Sequence, residues 1–183
     1  MKNTLLFLWE ISKIVIIVLV ITLPIRYFLL QPFLVDGQSM EPNFEHRDYL
    51  IVDELSYRFR EPQRGEVIVF KYPNNPAVRY IKRIIGLPGE TIEVQDGKVV
   101  VFNEEGGMIL RESYIPDSTE TTGSLKIALA KDEYFVLGDN REASSDSRRW
   151  GTVPKDNIIG QVFLRLWPIT SLEKISAPVY YSE

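Results

Sequence analysis

One serine stands in a sequence context that suits a nucleophile. Ser39 follows Gly37 and precedes Pro42 in the stretch DGQSMEPNF, and the residues on either side are strand-like. A serine on a tight turn after a strand can attack a carbonyl carbon, provided that a neighbouring group accepts its proton. The sequence must therefore supply a base for Ser39.

Two residues are candidates for that base. His46 is the only histidine in the chain, but its charged surroundings, EHRD, are typical of a solvated loop. Lys82 lies in VRYIKRII, where a period of two places it on the same strand face as apolar neighbours such as Val78 and Ile84. Burial there disfavours the ammonium form and leaves an amine that can act as a base. The pattern also allows Lys82 to snorkel to solvent, so the residues alone leave both outcomes open.

A polar segment could support such a pair. Residues 138–151, GDNREASSDSRRWG, combine serines, acids and arginines between strand and turn signals. The segment is either a solvated loop or a network of ion pairs and hydroxyls beside a site. A calcium loop is excluded because Arg141 and Ala143 stand where oxygen ligands are needed. Ser171 and Lys174 form an S-x-x-K motif, but the S-D-N and K-T-G elements that accompany it in penicillin-interacting enzymes are missing from the sequence.

Composition limits the remaining classes. The chain has 183 residues, a net charge of −4, no cysteine and one histidine. Disulfides and thiolate chemistry are excluded, and we expect no metal and no cofactor. An acidic chain without a lysine/arginine cluster also argues against a nucleic-acid partner. The length suits one ordinary domain with a hydrophobic core.

The N-terminal segment differs in composition from the rest. Residues 11–30, ISKIVIIVLVITLPIRYFLL, are apolar apart from one serine, one threonine, one lysine and one arginine. About 20 helical residues at roughly 1.5 Å each span a bilayer core of about 30 Å. A cleaved signal peptide would be followed by a small-x-small site, which this sequence lacks. The sequence therefore predicts a transmembrane anchor at 11–30, after a short N-terminus (1–10) and before a β-rich domain (31–183).

Short extended segments separated by turns follow residue 31. The alternation of side chains predicts strands at Pro32–Asp36, Tyr49–Asp53, Glu66–Tyr72, Ala77–Ile85, Thr91–Val94, Lys98–Phe102, Met108–Arg111, Glu133–Leu137 and Ile159–Leu166. Asp96-Gly97 predicts a tight hairpin, and residues 113–124 an exposed loop. This spacing favours an all-β sandwich or barrel.

Several blocks together carry a family resemblance. Behind the anchor come QPFLVDGQSMEPNF, RGEVIVF, YIKRIIGLPGE and GDNREASSDSRRWG, in that order. In these blocks the chain resembles type I signal peptidases, membrane-bound serine proteases that remove signal peptides from exported proteins. The resemblance implies a mainly β catalytic domain, compact and sheet- or barrel-like, behind one N-terminal transmembrane helix.

The resemblance also implies roles for individual residues. Ser39 of the S-M-x-P element is the expected nucleophile and Lys82 of the K-R-x-x-G-x-P-G block the expected general base. Ser144 is expected to hydrogen-bond and orient the lysine. An ion-pair scaffold around the dyad is expected from Asp146, Arg83 and Arg148.

The oxyanion site and the substrate pocket are less well defined by the sequence. Some members carry a serine two residues before the nucleophile, where this chain has Gly37, so the Ser39 backbone N–H should carry more of the oxyanion hole. Asn43 and Glu90 replace a threonine and an aspartate that are frequent in the family. Shallow apolar pockets are expected from side chains that flank the dyad, namely Phe33, Val35, Met40, Tyr80 and Ile81.

The implied activity is signal-peptide cleavage through an acyl-enzyme, after small side chains at the first and third positions before the cut. We expect a monomer in the plasma membrane, with residues 1–10 cytoplasmic and residues 31–183 extracytoplasmic. Its expected partners are preprotein signal peptides and the lipid bilayer. Two alternatives remain from the sequence: a non-catalytic membrane-anchored β-domain that binds a partner, and a self-cleaving Ser-Lys protein.

Overall fold

An N-terminal helix precedes a succession of short strands. The computed structural model describes residues 2–28, 30–104, 106–178 and 180, without the side chains of residues 2–6 and 21–30, so part of the predicted anchor lies outside the description. The helices and strands are α1 (Lys2–Phe28), β1 (Leu30–Leu34), β2 (Tyr49–Asp53), β3 (Val67–Tyr72), β4 (Asn75–Gly86), β5 (Thr91–Gln95), β6 (Lys98–Asn103), β7 (Gly106–Ile109), β8 (Leu125–Ala128), β9 (Glu133–Leu137), α2 (Ser147–Trp150), β10 (Val153–Pro154), β11 (Ile158–Trp167) and β12 (Glu173–Lys174). None of the described helices combines the length and the apolar character needed to cross a membrane.

The described strands form two antiparallel sheets. The larger has the order β1-β2-β11-β3-β4-β9-β10, with β12 added beside β11, and the smaller has the order β7-β6-β5-β8. The strands of the larger sheet that the structure describes follow an open path between β1 and β10, so a sheet rather than a closed barrel describes it. The protein is therefore mainly β, as the sequence predicts.

Strand β4 lies in the middle of the larger sheet. It pairs with β3 through partners such as Ile68 and Lys82, and with β9 through Arg83 and Leu137. Its first half is exposed, whereas every residue from Ile81 to Gly86 is buried. Neighbouring strands and both packed faces thus enclose the half of β4 that carries the predicted base.

Three hydrophobic clusters form the core of the described part of the chain, and β4 contributes to each of them. Ile81 packs in the first cluster with residues of β2 and β3, Ile84 in the second with residues of β3 and β9, and Ile85 in the third with residues of the smaller sheet. The alternation of β4 therefore sends its apolar side chains into cores on both of its faces.

The loop at residues 113–124 differs from the prediction. It has no regular strand or helix, as expected, but Ile115 and Thr121 are only 8% and 2% exposed. The hydroxyl of Thr121 accepts a hydrogen bond from the buried Arg141 guanidinium. The loop packs against the polar segment 138–151 instead of extending into solvent, because it helps to satisfy this buried cation.

Candidate active site

Ser39 lies in the loop after β1, where buried neighbours and backbone hydrogen bonds restrain it. Met40 and Phe44, which follow it, are 1% and 2% exposed and pack into the first core cluster. The Phe44 N–H donates to the Met40 carbonyl at 2.9 Å, and the Asn140 N–H donates to the Ser39 carbonyl at 3.1 Å. Buried side chains and backbone hydrogen bonds therefore fix the turn that presents the serine.

Lys82 meets this turn from β4. Its side-chain nitrogen Nζ lies 2.6 Å from Ser39 Oγ and 2.8 Å from the Ile81 carbonyl oxygen, and the residue is only 3% exposed. The lysine is buried and does not snorkel, which resolves the alternative that the sequence left open. Its amine is placed to exchange a proton with the serine hydroxyl, because the two heavy atoms are within hydrogen-bonding distance.

Burial lowers the pKa of Lys82 to about 8, although the carboxylates of Asp146 and Asp139 act in the opposite direction. An ammonium is poorly solvated in this setting, so the neutral amine becomes accessible near physiological pH. At pH 7 about a tenth of the molecules then carry the neutral base. A lysine with its usual pKa would be almost entirely protonated.

Ser144 lies close to the dyad without the predicted hydrogen bond. Its hydroxyl is buried and has no hydrogen-bond partner among the described residues, which include Lys82, so the expected bond to the lysine is not formed. A Cβ at Gly138 would lie 2.2 Å from Ser144 Oγ and 2.4 Å from the Ser39 carbonyl oxygen. The approach of these two segments therefore requires glycine at position 138.

Two buried ion pairs include the residues of the predicted scaffold, whose pairing the sequence left open. Asp139, expected only as part of the turn that opens the polar segment, accepts two hydrogen bonds from Arg83 at 2.9 and 2.6 Å. Asp146 pairs with Arg148 inside the polar segment, at 2.8 and 2.9 Å. The link between β4 and the polar segment is thus Arg83–Asp139, while Asp146–Arg148 shapes the segment itself. Sequence spacing could not reveal which acid meets which arginine.

A cavity of about 230 Å³ opens beside the dyad. Three of the predicted pocket residues line it, namely Phe33, Tyr80 and Ile81. The other two, Val35 and Met40, are buried in the first core cluster and do not line the cavity, because the loop turns their side chains into the protein. Lining residues that were not predicted include Leu34, Arg79, Ala143 and Ser145.

The remaining sequence candidates do not contact Ser39 Oγ or Lys82 Nζ. His46 Nδ1 is 3.3 Å from the Gly37 nitrogen and 3.5 Å from Asp36 Oδ1, and the side chain is about half exposed. Ser171 ends a short 3-10 turn and Lys174 lies in β12, so the S-x-x-K motif is not on the helix that its chemistry requires.

This arrangement has a definite chemical capacity. A buried amine with a lowered pKa adjoins a serine hydroxyl, and both line a cavity that is partly walled by aromatic and aliphatic side chains. Such a pair can generate a serine nucleophile without a histidine. The fold and the site define a serine hydrolase on an antiparallel β scaffold.

Comparison with known proteins identifies the family. A family model described as signal peptidase, peptidase S26, matches residues 8–167. The chain is 40% identical over 171 residues to signal peptidase I of Leptolyngbya laminosa, covering 88% of this chain and 81% of that protein. It is 38% identical over 167 residues to probable signal peptidase I-2 of Synechocystis sp., covering 87% and 73%. The chain belongs to the signal peptidase family S26 and is a serine endopeptidase.

A solved structure is also similar. The crystal structure of a signal peptidase I from Enterococcus faecalis V583 aligns with a TM-score of 0.47 and 32% identity, over 56% of this chain and 97% of that chain.

Proposed function

We propose that the protein cleaves signal peptides from exported preproteins, with Ser39 as nucleophile and Lys82 as general base. The observation that carries this proposal is the 2.6 Å contact between the buried Lys82 amine and the Ser39 hydroxyl. The substrate class follows from the relatives, which are named signal peptidase I. The cavity beside the dyad is small, which agrees with a preference for small side chains one and three positions before the cut.

Acyl transfer proceeds in two stages in this proposal. The neutral Lys82 amine takes the Ser39 proton while Oγ attacks the scissile carbonyl carbon, and the Ser39 backbone N–H stabilises the oxyanion. The carbon–nitrogen bond then breaks, Lys82 returns the proton to the leaving amine, and an ester to Ser39 remains. Water, deprotonated by Lys82, attacks this ester and releases the signal peptide with a free carboxylate and a restored serine.

Ser144 is a positioning residue in this mechanism. Ser39 Oγ ceases to be a hydroxyl partner for Lys82 once the ester forms, so the amine keeps the Ile81 carbonyl and a second partner is needed to keep it aligned. The unpartnered, buried Ser144 Oγ can supply one. An unpartnered buried hydroxyl weakens the fold, which is consistent with a functional role.

Cleavage of a preprotein in detergent tests the proposal. Ser39→Ala and Lys82→Ala should each lower kcat by at least about a thousandfold, because either change removes the activated nucleophile. Ser144→Ala should lower it by about tenfold. Lys71→Ala, an exposed lysine on the neighbouring strand β3, is the matched control and should cleave normally. Normal cleavage by Ser39→Ala or Lys82→Ala would contradict the proposed mechanism.

We also propose that residues 11–30 anchor the protein in the plasma membrane, with residues 31–183 on the extracytoplasmic side and no stable oligomer. Apolar side chains are exposed along the described part of α1, including Ile14 at 61% and Val20 at 65%, and none of them belongs to a core cluster. Such a surface favours lipid over water.

Removal of residues 1–28 tests this attachment. The full chain should stay with membranes during alkaline extraction, whereas the shortened chain should be released and still cleave a short peptide. Added protease should reach the β domain from the extracytoplasmic side only. Release of the full chain by alkaline extraction would contradict the anchor.

A further inference from the structure

The imidazole of His46 contacts the backbone of the turn that carries Ser39. The Gly37 N–H donates to His46 Nδ1 at 3.3 Å. Two backbone bonds precede this contact, from Val35 N–H to the Asp48 carbonyl at 3.0 Å and from Arg47 N–H to the Val35 carbonyl at 2.9 Å. The histidine side chain thus extends a short ladder of hydrogen bonds toward the nucleophile.

Gly37 has few other restraints. It adopts a φ of 101°, a conformation open to glycine but rare for other residues. Apart from its chain neighbours, no atom of the described residues lies within 4 Å of the position that a Cβ would occupy, so no packing on that side holds the residue. Gly37 nevertheless lines the cavity together with Ser39 and Lys82, where small backbone movements change the geometry of attack.

We infer that His46 is a positioning residue that holds the turn carrying Ser39 in place through its hydrogen bond with Gly37. Nδ1 accepts this hydrogen bond in the tautomer that carries the ring proton on Nε2, and the Asp36 carboxylate 3.5 Å from the same nitrogen is the competing partner. The Gly37 N–H already donates its hydrogen bond to His46, so this group does not serve as the second oxyanion donor. The inference rests on the proposed function, in which the hydroxyl of Ser39 performs the attack.

Three variants of the full chain in detergent test this role with a preprotein substrate. His46→Ala should lower kcat by about three- to tenfold and leave KM within about twofold, since one hydrogen bond that orients the nucleophile is lost. His46→Asn should retain at least about half of the wild-type kcat, because its side-chain oxygen can accept the same bond. Glu45→Ala, an exposed neighbour in the same loop, is the matched control and should leave kcat unchanged.

Amide hydrogen exchange at Gly37 gives a readout that does not depend on turnover. It should be faster in His46→Ala than in the wild type, and close to the wild type in His46→Asn. A wild-type kcat in His46→Ala, or an equal loss in His46→Asn and His46→Ala, would overturn the inference while leaving the proposed function in place. A wild-type protein that does not cleave preproteins would overturn the proposed function and this role with it.

Discussion

Two opposing influences set the protonation of Lys82. Burial lowers its pKa to about 8, while the negative charges of Asp146 and Asp139 favour the ammonium and limit the shift. Lys82 is therefore largely protonated at neutral pH and becomes neutral in mildly alkaline solution. The sequence predicts the strand face that Lys82 shares with apolar residues, but not its burial, which depends on two neighbouring strands and the Ser39 loop.

Cleavage should consequently depend on pH. Below about pH 8, kcat/KM should rise about tenfold per pH unit, because only the neutral amine accepts the serine proton, and above that value it should level off. Values of kcat/KM measured from pH 5.5 to 9.5 on an uncharged peptide would show this rise and the level region above it. A profile that is flat between pH 6 and 8 would exclude a lysine base with this pKa.

The same burial destabilises the folded protein. Lys82 has a pKa of about 8 in the folded protein and of 10.5 when its side chain is solvated, as in the unfolded chain. Between pH 8 and pH 10.5 the unfolded chain binds more protons than the folded protein, so the free energy of unfolding rises with pH. Below pH 8 the full free-energy cost of burying the ammonium applies. Lys82→Met should therefore raise the free energy of unfolding at pH 7 by about 3 kcal/mol, an advantage that shrinks toward pH 10.5. Urea unfolding of the wild type and the variant at pH 7 and at pH 10.5 measures this difference in the free energy of unfolding. A variant that is less stable than the wild type at pH 7 would contradict the prediction.

At the scale of elements, Asp139 joins three parts of the site. It pairs with Arg83 of β4, is the second residue of the polar segment after β9, and accepts a hydrogen bond at 2.8 Å from Asn43 of the Ser39 loop. The Asn43 side chain also donates to the Tyr114 carbonyl at 2.8 Å. Asn43 thus ties the Ser39 loop to this acid and to the loop at residues 113–124.

Breaking the Arg83–Asp139 pair should be costly. Their side chains are 5% and 0% exposed, so Asp139→Ala leaves an arginine buried without its counter-charge and should lower the free energy of unfolding by about 3–5 kcal/mol. The double variant with Arg83→Met should lose clearly less than the sum of the two single changes. Lys126→Ala, which breaks an exposed pair with Glu93, is the control and should cost at most about 1 kcal/mol. Additive losses in the double variant would show that the pair does not act as a unit.

The elements themselves could be predicted where the local pattern is strong. The hairpin around Asp96-Gly97 is confirmed, with Gln95 paired to Lys98, because turn residues and alternation agree there. Strands β8, β10 and β12 were not predicted. Two of them are only two residues long and exist because a longer neighbour pairs with them, which no local pattern records.

For the whole molecule, the order of strands could not be predicted from the sequence. Strand β11 lies between β2 and β3 although more than 80 residues separate it from either of them along the chain. The alternation of hydrophobic residues fixes which faces are buried, but distant pairings depend on the complete set of strands. The identity of the cavity walls depends on the same packing, so only three of the five predicted pocket residues line it.

The position of β4 among three core clusters has a consequence for the lifetime of the enzyme. A peptidase is exposed to digestion by other copies of itself, and an extended segment must leave its sheet before it can enter an active site. Because Ile81, Ile84 and Ile85 belong to different clusters, β4 cannot detach without disrupting all of them. The strand that carries Lys82 should therefore become a substrate only through global unfolding, so a folded copy is protected from cleavage there.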